Sequence, residues 1–401
     1  MLSRVFSAFR YRDFRLMWLG ACTSQIGTFV QQFAQSWLVY DLTKDPFYTG
    51  LDLFLGQLPI MLFSLVGGVF ADRMDRRKML LASQYIQMTS AFVMTVLFAT
   101  HVVKVWHILA LSFFVGVGQS FGGPAYQALL PTLVGPEELA NAISMNSIQF
   151  NLARIVGPTI GGLAYDYLGA TWCFALNGLS YIAVIISLYT IQVRFMPEKS
   201  KESILASMKG GFRFIRSREG LRPLVVLSFL MTLLGFSMIG FVPVFVQSVF
   251  RRGPETYRLF LICSGAGSVT GGLVVAFFSK MQHKGRKALM MVACWGALIT
   301  GFALSRSVPL SCALLFCAGA ATMGSASLMI STVQLMVSDD MRGRVMSVYN
   351  LSFRSGMPMG SLILGSVIPL FGLSPTIAVS GSTLVVLALY FLLVNRRVSA
   401  L

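Results

Sequence analysis

The sequence predicts an all-α integral membrane protein of twelve transmembrane helices, arranged as two six-helix bundles related by a pseudo-two-fold axis. Three observations predict this class. The 401 residues are 55% hydrophobic and only 12% charged, with a mean hydropathy of +0.72, about half the charge density that covers a soluble domain. The charges punctuate apolar runs of about 20 residues, the length that spans a hydrocarbon core of about 30 Å. Residues of the first half also recur in the second at an offset of 200.

The first span, 15–40, follows a basic N-terminal segment holding Arg4, Arg10, Arg12 and Arg15. The second, 50–71, ends at a loop with Arg73, Arg76, Arg77 and Lys78. The third and fourth, 79–100 and 106–130, are joined across Lys104. The fifth and sixth, 139–167 and 171–193, complete the first bundle. The second bundle is expected at 223–250, 257–278, 288–304, 309–337, 345–371 and 374–394, with basic residues at its connections and at Arg396 and Arg397.

Placing the N-terminus in the cytoplasm puts 24 of the 32 Lys and Arg residues in cytoplasmic segments and six outside, with Arg154 and Arg354 inside helices. Positive residues stay inside, so both termini are expected in the cytoplasm of a multi-pass chain. The net charge of +17 is thus a topology signal and implies no nucleic-acid partner. Six cysteines within apolar spans and three scattered histidines have no ligand spacing, so neither metal, cofactor nor disulfide framework is expected. No cleavable leader is expected, because the first apolar run is too long. The sequence has no HExxH, GxSxG or G-x4-GK[ST] motif, which argues against an enzyme. No soluble signalling domain of a receptor is visible.

The domains are expected as 1–193, a linker 194–222, and 223–401. In the linker, Ile204, Leu205, Met208, Phe212 and Ile215 alternate with Lys209, Arg213 and Arg216. That pattern predicts a basic amphipathic helix over 203–218 on the cytoplasmic leaflet, with membrane lipid as its partner. The repeat is carried by Ser147, Arg154 and Pro158 against Ser347, Arg354 and Pro358. The run Val134-Gly-Pro-Glu-Glu-Leu139 is likewise echoed by Val337-Ser-Asp-Asp-Met341. Copies of this kind bind substrate where they meet.

The loop after the second span reads Gly68-Val-Phe-Ala-Asp72-Arg73-Met-Asp75-Arg76-Arg77-Lys78. It resembles the signature loop of the major facilitator superfamily, with Asp75 where the pattern has its second Gly. Asp339-Asp340-Met-Arg342-Gly-Arg344 resembles the partner segment. Asp72 can accept from a helix N-terminus, and the neighbouring arginines can pair with acidic groups. The resemblance implies that these residues latch the cytoplasmic side. Gly157-Pro158-Thr-Ile-Gly161-Gly162 resembles the export motif of that superfamily: Pro bends the helix and the glycines admit a close neighbour. Phe14-Arg-Leu-Met-Trp18-Leu-Gly, Gly123-Pro-Ala-Tyr-Gln-Ala-Leu-Leu-Pro131 and Gly211-Phe-Arg-Phe214 resemble its enterobactin-exporter and macrolide-efflux branch. That resemblance implies a monomeric exporter in the bacterial inner membrane, exchanging substrate for protons by alternating access. Many relatives carry an acidic residue near Thr28, and this chain does not.

Polar side chains within spans should face the bundle interior. Gln25, Thr28, Gln32 and Gln35 fall within an arc of about 80° at 100° per residue. Asn151 and Arg154 on the fifth span, Asn350 and Arg354 on the eleventh, and Gln119, Tyr126 and Gln127 on the fourth complete the expected cavity lining. No acidic residue lies near mid-span, so the arginines favour an anionic or neutral small molecule: siderophore-like, drug-like or otherwise amphipathic. Asp52 and Asp166, the deepest acidic residues, are the expected proton carriers. Two alternatives stay open beside this reading: the arginines could bond backbone carbonyls and hold helices together, and the chain could flip a lipid or lysolipid.

Overall fold

The computed structural model describes residues 6–192, 204–218, 220–277 and 283–393, and within them every regular element is helical. The side chains of residues 65, 69, 72, 204–207, 276, 339 and 340 lie outside what is described. The first half contains α1 (Arg12–Thr43), α2 (Pro46–Arg73), α3 (Arg76–Ala99), α4 (Val105–Leu129), α5 (Leu139–Leu168) and α6 (Ala170–Thr190). The second contains α7 (Ile204–Ser217), α8 (Leu221–Leu234), α9 (Pro254–Phe277), α10 (Lys284–Leu304), α11 (Val308–Leu335), α12 (Asp339–Phe371) and α13 (Leu373–Leu393).

Among the described residues, nine helical stretches are long and apolar enough to cross a membrane. Helices α1, α5 and α12 have 32, 30 and 33 residues, beyond the ~20 needed to span. Their polar stripes dilute the hydropathy of any single window. Large apolar side chains point outward, such as Leu273 at 67% and Phe277 at 84% exposed. In water that would be costly, whereas lipid is their natural neighbour.

The expected span 223–250 is not one regular helix. After α8 the chain runs through a 3-10 stretch, Phe236–Phe241, a short turn, Val242–Val244, and a π-helical turn, Phe245–Phe250. Three local causes coincide. Gly235 lies against the Trp295 ring, leaving no room for a side chain. Ser237 Oγ donates to Met357 O at 2.9 Å, and Pro243 has no N–H to continue the ladder.

Contacts divide the chain into two compact units: Met1–Thr43 with Leu55–Lys201, and Lys44–Phe54 with Glu202–Leu401. The division differs from the expected 1–193, 194–222 and 223–401 at two places. Helix α7 groups with the second unit, as does the first part of α2. There Gly50 brings its backbone against α12, where an added Cβ would lie 3.0 Å from Gly365 Cα and closer still to the Ser361 carbonyl.

Helix α7 also differs from the expected helix lying with its apolar face in lipid. Its Gly211 backbone meets Arg344 and Val348 of α12, a Cβ there falling 2.5 Å from Arg344 O, and Ile215 is 6% exposed. Part of the apolar face is therefore spent on protein. Phe212, 65% exposed, is not.

Candidate substrate and gating sites

The polar stripe of α1 divides into tied and untied side chains. Gln35 Nε2 donates to Ser112 Oγ at 2.8 Å, and its Oε1 accepts from Gln31 Nε2 at 3.3 Å. Gln31 Oε1 in turn accepts from Asn177 Nδ2 at 2.7 Å. Thr28 Oγ1 donates to Ser24 O at 2.9 Å and lies 3.4 Å from Tyr181 Oη. Tyr181 donates to Gln87 Oε1 at 3.3 Å, which also accepts from Gln119 Nε2 at 3.3 Å. Gln87 Nε2 donates to Ser83 Oγ at 3.1 Å. Thr28, Gln35 and Gln119, expected to line a cavity, are thus members of a web joining α1, α3, α4 and α6. Buried polar groups must find partners, and these find one another. Gln25 is half-buried and Gln32 exposed, neither making a side-chain hydrogen bond among the described residues.

On α4, Tyr126 Oη donates to Asn146 Oδ1 at 3.1 Å, fastening α4 to α5, while Gln127 is exposed. Buried Gln87, Asn177 and Tyr181, all 6% exposed or less, were absent from the expected site. The signal was present as polar residues inside the third and sixth apolar runs.

The arginines stand apart from this web. Arg154 is half-buried on α5 and has no ion pair or hydrogen bond among the described residues; Arg354 on α12 is exposed and equally unpaired. Among the described residues neither bonds a backbone carbonyl, the alternative left open by the sequence. Four residues on, Pro158 and Pro358 lack the N–H that would bond each arginine's own carbonyl. Asn151, one turn before Arg154, donates to Ser147 O at 2.8 Å, leaving its buried Oδ1 without a partner among the described residues. Asn350 is exposed one turn before Arg354.

The expected proton carriers occupy different environments. Asp52 is 6% exposed within the second unit. Asp166 is exposed near the end of α5.

The signature loop explains its own departure from the family pattern. Asp75 is the N-cap of α3, its Oδ1 accepting from Arg77 N at 2.9 Å and Lys78 N at 3.4 Å. An N-cap carboxylate satisfies amides left over at a helix start. Arg76 donates to Ala71 O at 3.2 Å and Ala128 O at 2.8 Å, and Arg77 to Tyr189 O at 2.9 Å. These arginines thus serve carbonyls at the C-terminal ends of α2, α4 and α6, where positive charge is favourable. Gly68 has open space where a side chain would go, whereas Gly67 abuts the Ser120 carbonyl. Arg73 is exposed, as is Arg342, while Arg344 is half-buried against α7. The side chains of Asp72, Asp339 and Asp340 lie outside the described residues.

The echoing loop before α5 holds a clasp of its own. Tyr11 Oη donates to Glu137 Oε1 at 2.9 Å, Ala8 N to Asn141 Oδ1 at 3.1 Å, and Ser7 Oγ to Glu138 Oε2. A backbone amide first, then the Tyr11 hydroxyl, holds the Glu137 carboxyl below the ordinary carboxylate range; the same bond raises the Tyr11 phenol.

Gly157, Pro158, Gly161 and Gly162 are all buried. Gly157 meets Phe29 of α1, and a Cβ on Gly161 would lie 3.1 Å from Val30 Cα. In the second unit the same close approach is made by Gly356 and Gly360, against Phe229 O and Leu233 O of α8. This second pair, also spaced by four, escaped the sequence reading.

The comparisons agree with this architecture. A family model described as transmembrane secretion effector matches residues 3–400. Macrolide efflux protein A of Streptococcus pyogenes is 22% identical over 96% of this chain and 98% of its own length. The staphyloferrin A transporter of Staphylococcus aureus is 24% identical over 93% and 94%. In fold, the chain resembles a bacterial homologue of the human lysosomal transporter Spinster, in its inward-facing, unoccupied conformation. The TM-score is 0.73 at 14% identity, covering 97% of this chain and 98% of that one. These relatives are membrane transporters, not enzymes. The chain belongs to the transmembrane secretion effector family of the major facilitator superfamily.

Proposed function

We propose that this chain exports an anionic or neutral amphipathic small molecule, siderophore-like or drug-like, from a bacterial cytoplasm. It acts as a monomer in the inner membrane with both termini inside, by alternating access of its two halves. The observation that carries the substrate charge is the pair Arg154 and Arg354, each without an ion pair among the described residues. A cation within a span costs several kcal/mol unless solvated or paired, and a transported anion supplies that partner transiently. The relatives' names, one a macrolide efflux protein and one a staphyloferrin A transporter, support export of a polar or amphipathic product.

Proton antiport is the proposed drive, with Asp52 its favoured carrier. A buried carboxylate gains and loses its proton as its access to water changes, and Asp166 does not share that burial. The cytoplasmic latch, with Asp72 facing a helix N-terminus and Asp339 and Asp340 as partner residues, is proposed by family resemblance.

The test is transport by the purified protein in liposomes under an imposed pH gradient, with anionic, neutral and cationic aromatic compounds offered in parallel. Anion or neutral transport that collapses in Asp52→Asn is expected. Transport of cations alone would overturn the arginine argument. Unaltered proton coupling in Asp52→Asn would remove the assigned carrier.

A further inference from the structure

Helix α7 has a face that the transport reading does not use. At 100° per residue, Lys209, Arg213 and Arg216 fall within an arc of about 60°. All three are exposed, and none has an ion pair or hydrogen bond among the described residues. That arc points away from Gly211 and Ile215, which are engaged with α12. Phe212, 65% exposed, lies on its edge. Arg218, just beyond the helix, sets its guanidinium 5.6 Å from the Phe214 ring.

We propose that this outer face of α7 is a docking site for anionic phospholipid headgroups of the cytoplasmic leaflet, with Phe212 dipping into the acyl boundary. It rests on the orientation in the proposed function, which places α7 on the cytoplasmic side.

Three features of the helix favour that occupant. The charge is of one sign and has no acidic partner among the described residues, so it is open to a partner that supplies negative charge. An aromatic ring beside a basic stripe suits the headgroup region, where one end is apolar and the other wet. The helix is also fixed to α12 by its opposite face, so the basic stripe is presented without the cost of ordering a free segment. Its apolar face being occupied by protein, α7 binds chiefly by charge: attraction to an anionic leaflet is worth about fivefold in affinity per Lys or Arg near the surface and fades with salt.

The test needs no substrate, so it fails or succeeds independently of the transport proposal. Full-length protein is placed in nanodiscs of phosphatidylcholine, with or without added phosphatidylglycerol, and amide exchange is followed across 208–217. Phosphatidylglycerol is expected to slow exchange at this helix at least fivefold at low salt, and not at high salt. The variant Lys209→Gln/Arg213→Gln/Arg216→Gln should lose that response while exchange within α12 and α13 stays at wild-type rates. Lys209→Arg/Arg213→Lys/Arg216→Lys should retain it. Equal protection in both lipids, or an undiminished response in the Gln variant, would overturn the proposal. So would protection produced by inorganic phosphate in phosphatidylcholine discs, which would reassign the face to a soluble anion.

Discussion

Replacing Gln87 by Met decides whether the polar web of the first unit is structural or part of the substrate path. Met has nearly the same length and volume, so the change removes hydrogen bonds without opening a large cavity. Gln87 Oε1 accepts from Tyr181 at 3.3 Å and from Gln119 at 3.3 Å, and its amide donates to Ser83 Oγ at 3.1 Å. Only the first two join different helices by side chains. Interhelical hydrogen bonds in membranes average about 0.6 kcal/mol, with an upper value of about 1.7. Gln87→Met should therefore cost about 1–3 kcal/mol in reversible unfolding titrated with denaturing detergent. Tyr181→Phe removes one of the same bonds, so the double variant should show a coupling of about 0.6 kcal/mol between the two sites. Substrate affinity of the folded fraction should be unchanged in both. A Gln87→Met protein as stable as wild type, or one with normal stability and weakened substrate binding, would refute the assignment of Thr28 and Gln119 to a structural web.

Asp75→Ala should destabilise the protein by about 1 kcal/mol through loss of the α3 cap. Asp75→Gly, which restores the family residue, should cost only a few tenths; thermal unfolding of the three proteins checks the order. The Glu137 carboxyl lies below its ordinary range in the folded protein. Its stabilising contribution is therefore complete above about pH 4 and is lost as pH falls through the lower folded value. Tyr11, raised above its ordinary value, contributes below about pH 10 and loses its contribution at higher pH. Glu137→Gln should flatten the acid limb of the N-terminal segment's proteolytic protection, and Tyr11→Phe the alkaline limb. Gly157→Leu and Gly356→Leu should each impair folding by about 1–3 kcal/mol or more through overpacking, with Gly68→Ala near neutral because a Cβ there meets nothing within 4 Å. Equal yields and unfolding midpoints for all three would contradict the close approaches.

What the sequence made legible was what depends on period and composition. Apolar runs located the helices because a bilayer demands length and low charge, and Gly157 and Gly161 were recognisable because close approach demands glycine. The fracture after α8 was not legible: it needs Trp295, some 60 residues away, to press on Gly235. The α1 stripe misled for a similar reason. A polar residue in a span announces that it faces other protein or water, but not which, and Gln35 meets Ser112 across 77 positions of sequence. Asp75 stands where the family pattern records Gly, and the cap it forms depends on local geometry that spacing alone does not encode.

The repeat itself hides an asymmetry that bears on the two arginines. Arg-x-x-x-Pro keeps an offset of 200 between α5 and α12, but the close-packing glycines do not: 157 and 161 correspond to 356 and 360, an offset of 199. One residue is about 100° of helix rotation. On α5 the mean direction of Gly157 and Gly161 lies about 40° from Arg154, whereas on α12 the Gly356 and Gly360 direction lies about 140° from Arg354. The contact face thus draws Arg154 toward α1 and turns Arg354 away from α8, which is why one is half-buried and the other exposed. The same residue at the same distance from the same proline has been carried into two environments. A half-buried cation is screened less than an exposed one, so an anion beside Arg154 would be held more strongly than one beside Arg354. On the proposed reading, the pair would therefore act as two unequal anion contacts, not as one site written twice.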